Sequence, residues 1–149
     1  MAKVFKTMVE LQNYMQGACN KAVENACNRL LGVLQDFIMS EYYDSSVYET
    51  TGKYRRTMQF YNSAMTEMLS ETCGKIFMNP DAMNYPFSGY GWSWDGATQI
   101  YEANEGSHGG WTSEESIKHR YFDEFEKYCD KNAVNILREE LAKQGIKTK

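Results

Sequence analysis

The sequence predicts a single α+β domain: N-terminal helices including one long helix, a small antiparallel sheet with a long aromatic loop, and a C-terminal helix. Apolar residues recur at helical spacing in residues 1–43 and again in residues 113–145. Residues 64–79 have the composition of a β-hairpin, with a Gly where the chain must turn. Between these elements lie a corner, residues 44–63, and a loop rich in aromatic residues and Gly, residues 80–112. The length of 149 residues fits one domain that can bury a core.

Residues 1–43 are predicted to form two helices. Thr7 and Glu10 have the spacing of a capping box, in which each side chain accepts a hydrogen bond from the other residue's backbone N–H. Gly17 costs about 1 kcal/mol relative to Ala inside a helix, so we expect it to separate a short first helix from a long one over residues 18–42. One apolar face runs through both helices: Met8, Leu11, Met15, Ala18, Ala22, Ala26, Leu30, Val33 and Phe37.

The corner, residues 44–63, joins the long helix to the hairpin. Asp44-Ser45-Ser46 is typical of a loop, because these side chains compete with helical hydrogen bonds. Thr51-Gly52 indicates a turn in which Gly permits a backbone conformation that other residues avoid. Residues 53–62 are predicted to form a short helix.

A compact basic cluster lies in this corner, where Lys53, Arg55 and Arg56 are interleaved with Tyr54. It can contact the phosphates of a nucleic acid, or it can form salt bridges with another subunit. The net charge of −4 and the pI of about 5.2 argue against non-specific nucleic-acid binding by the free chain and favour the second interpretation.

The sheet is predicted to contain residues 65–71 and 75–78 as the two strands of a hairpin. Thr72-Cys73-Gly74 then forms the turn, with Gly74 at positive φ. A further strand over residues 97–103 would complete the sheet.

The loop of residues 80–112 contains all three Trp residues, Trp92, Trp94 and Trp111, together with Tyr90 and other aromatic residues. Loops of this length in a compact domain are usually functional. Three interpretations stay open, because exposed aromatic rings need something to cover them. The rings fold back as a lid on the core, they dock another protein, or they stack on sugars or bases.

The C-terminal helix is predicted over residues 113–145, with a capping box at its start and a left-handed glycine cap at its end. The neighbouring carboxylates Glu139 and Glu140 are interpreted as solvated. Thr112 and Glu115 are the residues of the capping box, and Gly145 forms the C-terminal cap, with Ile146 beside Leu141. Glu139 and Lys143 are predicted to form an i,i+4 ion pair.

The spacing of the Cys residues and the N-terminal sequence indicate the cellular compartment in which the chain is made. The four Cys residues form no C-x-x-C pair. Cys19 and Cys27 are about 12 Å apart along a helix axis, which is too far for a disulfide. We expect reduced thiols and synthesis in a cytosol. Since the chain shows neither an apolar leader nor a run of about 18 apolar residues, it predicts no signal peptide and no membrane span.

No residue pattern specifies a catalytic reaction. Cys73, His108 and Asp95 can be drawn as a nucleophile site, but nothing in their spacing requires one. A metal site from His108, His119, Asp95 and Asp123 has the same weakness, because His119 and Asp123 at one helical turn more often form a surface hydrogen bond. We therefore predict no catalytic, cofactor-binding or metal-binding residues.

Residues 48–54, followed by Asn62-Ser63, resemble the small head–tail joining proteins of tailed bacteriophages, of the neck or tail-completion type. Thr50 stands where that family usually has Arg, and Tyr54 where it usually has Leu. The order of elements is also similar: helices, a Thr-Gly turn, a hairpin, a variable loop and a C-terminal helix. The residues that match the family pattern are Tyr48, Thr51, Gly52 and Ser63.

The resemblance implies a non-enzymatic structural protein of the virion, made in the cytoplasm of the bacterial host. Such proteins form homo-oligomeric rings, hexamers or dodecamers, that join the portal or connector to the tail-tube proteins. DNA would pass through the channel without sequence-specific binding, and no membrane is involved. The residues expected to make protein contacts are Tyr90, Trp92, Trp94, Trp111, Arg55 and Arg56, while Tyr48, Thr51 and Gly52 form the structural corner. The alternative is a monomeric binding module, or a small enzyme, that uses residues 85–111 as a ligand site.

Overall fold

Two long antiparallel helices form the frame of the domain, and a hairpin packs on the first of them. The computed structural model describes residues 4–43, 58–83, 96–105 and 120–148. This architecture confirms the predicted α+β class. The elements are α1 (Met8–Phe37), a π-helical turn (Ile38–Tyr43), α2 (Gln59–Asn62), β1 (Ala64–Ser70), β2 (Cys73–Met78), a 3₁₀ turn (Pro80–Ala82), α3 (Gly96–Glu105) and α4 (Tyr121–Lys143).

Helix α1 is continuous over 30 residues, a length of about 45 Å at 1.5 Å per residue. The predicted break at Gly17 is therefore wrong. Gly17 is exposed, and a Cβ there would meet nothing within 4 Å, so its cost is one of backbone entropy alone. Ala18, directly after it, and Ala22, one turn further on, are both buried. Their packing holds the helix through a single unfavourable residue.

The predicted cap at the start of α1 is confirmed in a modified form. Thr7 Oγ1 accepts a hydrogen bond from the backbone N–H of Glu10 at 3.1 Å. The Glu10 carboxylate accepts from the N–H of Lys6 at 2.8 Å, and not from that of Thr7 as the prediction had it. At the other end, the π-helical turn buries Ile38 and Tyr43. Helical structure thus extends close to the predicted limit at residue 42.

Helix α4 lies antiparallel to α1. The rings of Phe37 and Tyr128 meet edge to face, with centroids 6.3 Å apart, near the C-terminus of α1. Near its N-terminus, the Tyr14 hydroxyl donates to the carbonyl oxygen of Gln144 at 2.6 Å. The two helices are therefore in contact from Tyr128 to the C-terminal end of α4.

The limits of α4 agree with the prediction at the C-terminus only. Arg120 has a φ of 44°, in the left-handed region, so a helix starting at residue 113 cannot continue through it. The predicted capping box at residues 112–115 lies outside the described residues. At the other end Gly145 has a φ of 84°, and the N–H of Ile146 donates to the carbonyl of Leu141 at 3.0 Å. The predicted glycine cap is confirmed.

Strands β1 and β2 pair antiparallel and confirm the predicted hairpin. The turn is Glu71-Thr72, whereas Cys73 and Gly74 belong to β2, so the predicted turn was placed too far along the chain. Gly74 does not have a positive φ. A Cβ at this position would lie 2.5 Å from the Sγ of Cys27 on α1. Close approach of the helix, and not the turn, requires glycine here.

Residues 97–103 form part of helix α3, so the predicted third strand is wrong. Ile100 is partly buried and Ala103 is 1% exposed, and their spacing of three residues is that of a helix. A short apolar run does not distinguish strand from helix by periodicity alone. In the part of the chain that the structure describes, the sheet consists of β1 and β2.

We predict that Gly74→Ala destabilises the domain by about 1–3 kcal/mol, because the added methyl group overpacks the contact with Cys27. The free energy of unfolding, measured by urea denaturation, should recover when Cys27→Ala is combined with it. Gly17→Ala is the matched control, for which open space around a helical position predicts a gain of about 0.5–1 kcal/mol. An equal loss with and without Cys27 would contradict the contact.

Candidate functional site

The residues predicted to make protein contacts, and those of the structural corner, lie outside the described residues. The structure does describe the residues that flank them, which locate the points where these segments are attached to the fold. Arg55, Arg56, Tyr48, Thr51 and Gly52 belong to residues 44–57, Tyr90, Trp92 and Trp94 to residues 84–95, and Trp111 to residues 106–119.

Residues 44–57 are attached at the C-terminal end of α1. Tyr43, directly before them, is 6% exposed, and Tyr42 stacks on Phe60 of α2 with ring centroids 4.6 Å apart. Met58, directly after them, has a left-handed φ of 57°. Aromatic stacking therefore holds together the two ends of this connection.

Residues 84–95 are attached at the 3₁₀ turn. The N–H of Met83, directly before them, donates to the carbonyl oxygen of Pro80 at 3.1 Å. Gly96, directly after them, lies so close to Pro80 that a Cβ would overlap the Pro80 backbone. Both ends of this connection therefore meet at one proline, and the second end requires glycine.

Residues 106–119 are attached through Asn104 of α3. The Asn104 carbonyl oxygen accepts from the N–H of Arg120 at 3.3 Å, and its Oδ1 accepts from the N–H of Phe122 at 3.1 Å. Its Nδ2 donates to the Asp123 carboxylate at 3.0 Å. Arg120 supplies no side-chain cap to α4. Asn104 thus caps the first turn of α4 from a different helix.

One aromatic pair connects α2, α3 and α4, the helices that border the three connections. The rings of Phe60 and Tyr121 meet edge to face at 5.2 Å, and the Tyr121 hydroxyl donates to the carbonyl of Ile100 on α3 at 3.2 Å. Burial raises the pKa of Tyr121, so the phenol keeps the proton that it donates. We call the region where these three helices meet the root end, because each of the three connections begins or ends at one of them.

Ser63 is the residue of the bacteriophage-like pattern that the structure describes, and it lies beside the root end. It is fully buried between α2 and β1. Its hydroxyl donates to the carbonyl of Phe60 at 2.7 Å, and its own carbonyl accepts from the N–H of Asn79, directly after β2, at 2.7 Å. Ser63 therefore fixes both ends of the hairpin relative to α2.

A polar cleft of about 450 Å³ lies between α1 and α4, away from the root end. The carboxylate of Glu140 is 2% exposed and accepts from Arg29 at 2.8 Å and from Lys143 at 2.7 Å. Glu139, which is 60% exposed, also pairs with Arg29 at 2.8 Å. The side chains that line the cleft are Asn25, Asn28, Arg29, Glu140 and Lys143.

The charges of this cleft are satisfied by one another. Hydrogen bonds from Lys143 and Arg29 lower the pKa of Glu140, and hydrogen bonds to Glu140 and Glu139 raise the pKa of Arg29. Glu139 is solvated as predicted, but the predictions for Glu140 and for Lys143 are wrong. Glu140 is buried and not solvated, and Lys143 pairs with Glu140 three residues before it, not with Glu139. The cleft holds α1 against α4, and its two cations are balanced by Glu140 together with the exposed Glu139 beside it.

The described residues lend no support to the nucleophile or metal sites considered from the sequence. Cys73 is exposed on β2 and is a free thiol, like the other three Cys residues. The Asp123 carboxylate accepts its hydrogen bond from α3. Within residues 4–43, 58–83, 96–105 and 120–148, no three His, Cys, Asp or Glu side chains are placed to hold a metal ion. The other candidates, His108, His119 and Asp95, lie outside the described residues.

Sequence reasoning missed Glu140, Arg29 and Asn104. Glu140 follows the buried Ile136 by four residues, so it lies on the apolar stripe of α4, where a carboxylate requires a cation partner. That signal was available. Asn104 carries no comparable signal, because its role depends on how α3 is placed against α4.

A scan against protein-family models finds no match, and no curated protein and no solved structure is similar to the chain. The functional argument therefore rests on the residues and geometry described above. None of the described helices is both long and apolar enough to cross a bilayer.

Glu140→Gln is expected to lower the free energy of unfolding by about 1.5–3 kcal/mol at neutral pH, because it weakens two charge-assisted hydrogen bonds to a buried group. Glu139→Gln is the matched control at the adjacent exposed position and should change stability by less than about 1 kcal/mol.

The buried carboxylate of Glu140 also predicts that the stability of the domain depends on pH. The folded-state pKa of Glu140 is lowered, so its contribution is fully present above the unfolded carboxyl pKa of about 4.3 and is lost as the pH falls through the lower folded value. The difference between wild type and Glu140→Gln should therefore shrink in acid. A difference that stays constant from neutral to acidic pH would show that the charge contributes nothing.

Asn104→Ala should destabilise the domain by about 0.5–2 kcal/mol through loss of the cap on α4. Asn135→Ala, at an exposed position within α4, is the control and should stay within about 0.5 kcal/mol of wild type. Thermal unfolding followed by circular dichroism measures both. Equal melting temperatures for the two variants would mean that Asn104 does not cap α4.

Proposed function

We propose that the chain is a structural protein of a tailed-phage virion, part of the neck or tail-completion ring that joins the head connector to the tail. It acts as a homo-oligomeric ring, a hexamer or dodecamer, between portal or connector and tail-tube proteins. It is not an enzyme, and DNA passes it without sequence-specific contacts. It is made in the bacterial host cytoplasm and ends in the virion.

The corner around Ser63 is the observation that carries this proposal. In the resemblance, the serine closes the pattern that begins with Tyr48 and the Thr-Gly turn, immediately before the hairpin. Here Ser63 is fully buried and bonds both ends of the hairpin. A match at a buried residue that fixes the hairpin against α2 supports a shared architecture better than a match at an exposed residue would.

The root end adds support of a different kind. The residues proposed for protein contacts belong to three connections, and all three are attached around Phe60 and Tyr121. The described residues at these attachment points include the aromatic residues Tyr42, Phe60 and Tyr121. Aromatic and Arg side chains are enriched in the buried centres of protein interfaces. A single contact surface for neighbouring neck proteins is consistent with this arrangement.

The alternative, a monomeric binding module or small enzyme that uses residues 85–111, predicts a different gene context and a different mass. Genes for portal, major capsid and tail-tube proteins beside this one are expected on our proposal. A metabolic operon would contradict it. Size-exclusion chromatography with light scattering on the protein mixed with neighbouring gene products should give a defined ring mass, whereas the alternative predicts a monomer in every mixture.

Trp92→Ala and Trp94→Ala should impair assembly but leave the melting temperature of the isolated chain unchanged, because their rings are proposed to contact other subunits. Light scattering measures assembly and circular dichroism measures folding. If both variants fail to fold alone, the rings belong to the core and the docking interpretation is wrong.

A further inference from the structure

The hairpin of β1 and β2 has two open edges in the part of the chain that the structure describes. The N–H of Asn79 donates to the carbonyl of Ser63, and these two residues continue the register of the strands. In an antiparallel ladder, pairs that exchange hydrogen bonds alternate with pairs that do not. The residues that do not bond across the hairpin therefore direct their N–H and carbonyl groups outward: Ala64, Thr66 and Met68 on β1, and Gly74, Ile76 and Met78 on β2.

These outward backbone groups have no partner within the described chain. No hydrogen bond from another element reaches them. Helix α1 packs on a face of the hairpin and not along an edge, because it is the Cβ direction of Gly74 that meets Cys27. A strand edge with free N–H and carbonyl groups is a template for pairing with another strand.

We propose that β1 of one copy of this chain pairs antiparallel with β2 of a second copy, in the register that the two strands already have within the hairpin. Side-chain complementarity selects this pairing. On the exposed face, the Glu67 carboxylate pairs with Lys75 at 2.7 Å. Met65 lies opposite Phe77 on the same face. The same register between copies repeats both pairs, so a charged row and an apolar row continue from one hairpin to the next.

The other two ways of joining free edges match less well. With full overlap, β1 against β1 sets Glu67 opposite Met65, and a slip of two residues sets it opposite the other copy's Glu67. In the same way, β2 against β2 sets Lys75 opposite Phe77 or opposite another Lys75. Neither arrangement gives these residues an opposite charge, and like charges directly opposite are destabilising. Charge therefore fixes both the partner strand and the register.

The helical layer has the width that this pairing requires. Two strands occupy about 9.6 Å of a sheet, at roughly 4.8 Å for each strand. Neighbouring helices pack at interaxial distances of about 8–10 Å. One α1 for each hairpin therefore allows hairpins of successive copies to lie side by side.

A contact that uses different strands on the two copies is heterologous, and heterologous contacts close into rings where the rotation permits. The inference rests on the proposed function for that closure, and it names the contact by which neighbouring subunits of the ring meet. The pairing of two copies can be measured without the ring.

Disulfide trapping tests the pairing and its direction. In a Cys73→Ser background, Glu67→Cys and Lys75→Cys proteins are mixed with diamide, which accepts the two electrons and two protons that the thiols release. Across a pair without hydrogen bonds the Cα atoms are about 4.5 Å apart, within the range of a disulfide. The mixture should give a cross-linked dimer that neither protein gives alone. Both replaced side chains are exposed, so circular dichroism should show an intact fold.

Two variants of Thr66 provide the matched control. Thr66→Pro removes the N–H that β1 directs at the second copy and leaves the hydrogen bonds to β2 in place. Thr66→Val lacks the hydroxyl as well but keeps the N–H. In the Glu67→Cys chain, Thr66→Pro should abolish the cross-link and Thr66→Val should retain it. Equal cross-linking of the two, no cross-link in the mixture, or a cross-link formed as readily by Glu67→Cys alone would overturn the pairing.

The pairing and the proposed function fail in different experiments. A ring of defined mass formed by Thr66→Pro protein with the neighbouring gene products would overturn the strand pairing and leave the ring in place. If wild type forms no ring in any mixture, the proposed function is wrong, and the trapping experiment still measures whether the two strands pair.

Discussion

The antiparallel contact between α1 and α4 is the constraint on which the rest of the structure depends. Helix α1 contacts α4 on one side and the hairpin, at Gly74, on the other. A two-stranded hairpin is marginal by itself and needs a helix to pack on. The buried Glu140 links the two helices through its ion pair with Arg29 of α1, while its other partner, Lys143, lies on α4 itself.

At the root end, the same two helices hold the connections that carry the proposed contact residues. Two non-glycine residues there, Met58 and Arg120, have left-handed backbone conformations, and each directly follows one of the connections. Such conformations cost about 1–3 kcal/mol and persist where surrounding packing determines them. Phe60 and Tyr121, each next to or near one of these residues, supply that packing. Packing at the root end therefore stabilises the strained backbone of Met58 and of Arg120, where two of the connections rejoin the fold.

Structural features that depend on residues close together in the sequence are predicted correctly. The hairpin, the glycine cap at Gly145 and the apolar stripe of α1 from Ala18 onward are local patterns that the structure confirms, whereas Met8 and Met15 at the start of the stripe are exposed. The failures depend on distant contacts. Gly17 was expected to break α1, but burial of the following alanines outweighs its entropy cost. Gly74 was assigned to a turn, but it is required by Cys27, far away along the chain.

The residues of the candidate site show the same difference between local patterns and distant contacts. Ser63 was identified from a pattern, and its buried bonds give it a physical role, whereas the cap from Asn104 emerges only once α3 is seen beside α4. A glutamate on an apolar stripe was a readable signal for the cleft. The root end likewise emerges only from tertiary contacts, which join the π-helical turn, α2, α3 and α4.

Native-state hydrogen exchange tests most directly whether the α1–α4 contact is the stable centre of the domain. The account predicts that the slowest backbone amides lie in residues 22–34 of α1 and 125–136 of α4, opening only with global unfolding, and that residues 8–17, at the exposed start of α1, exchange much faster. Slowest exchange in the hairpin or in α3, with α1 and α4 opening at lower free energy, would contradict it.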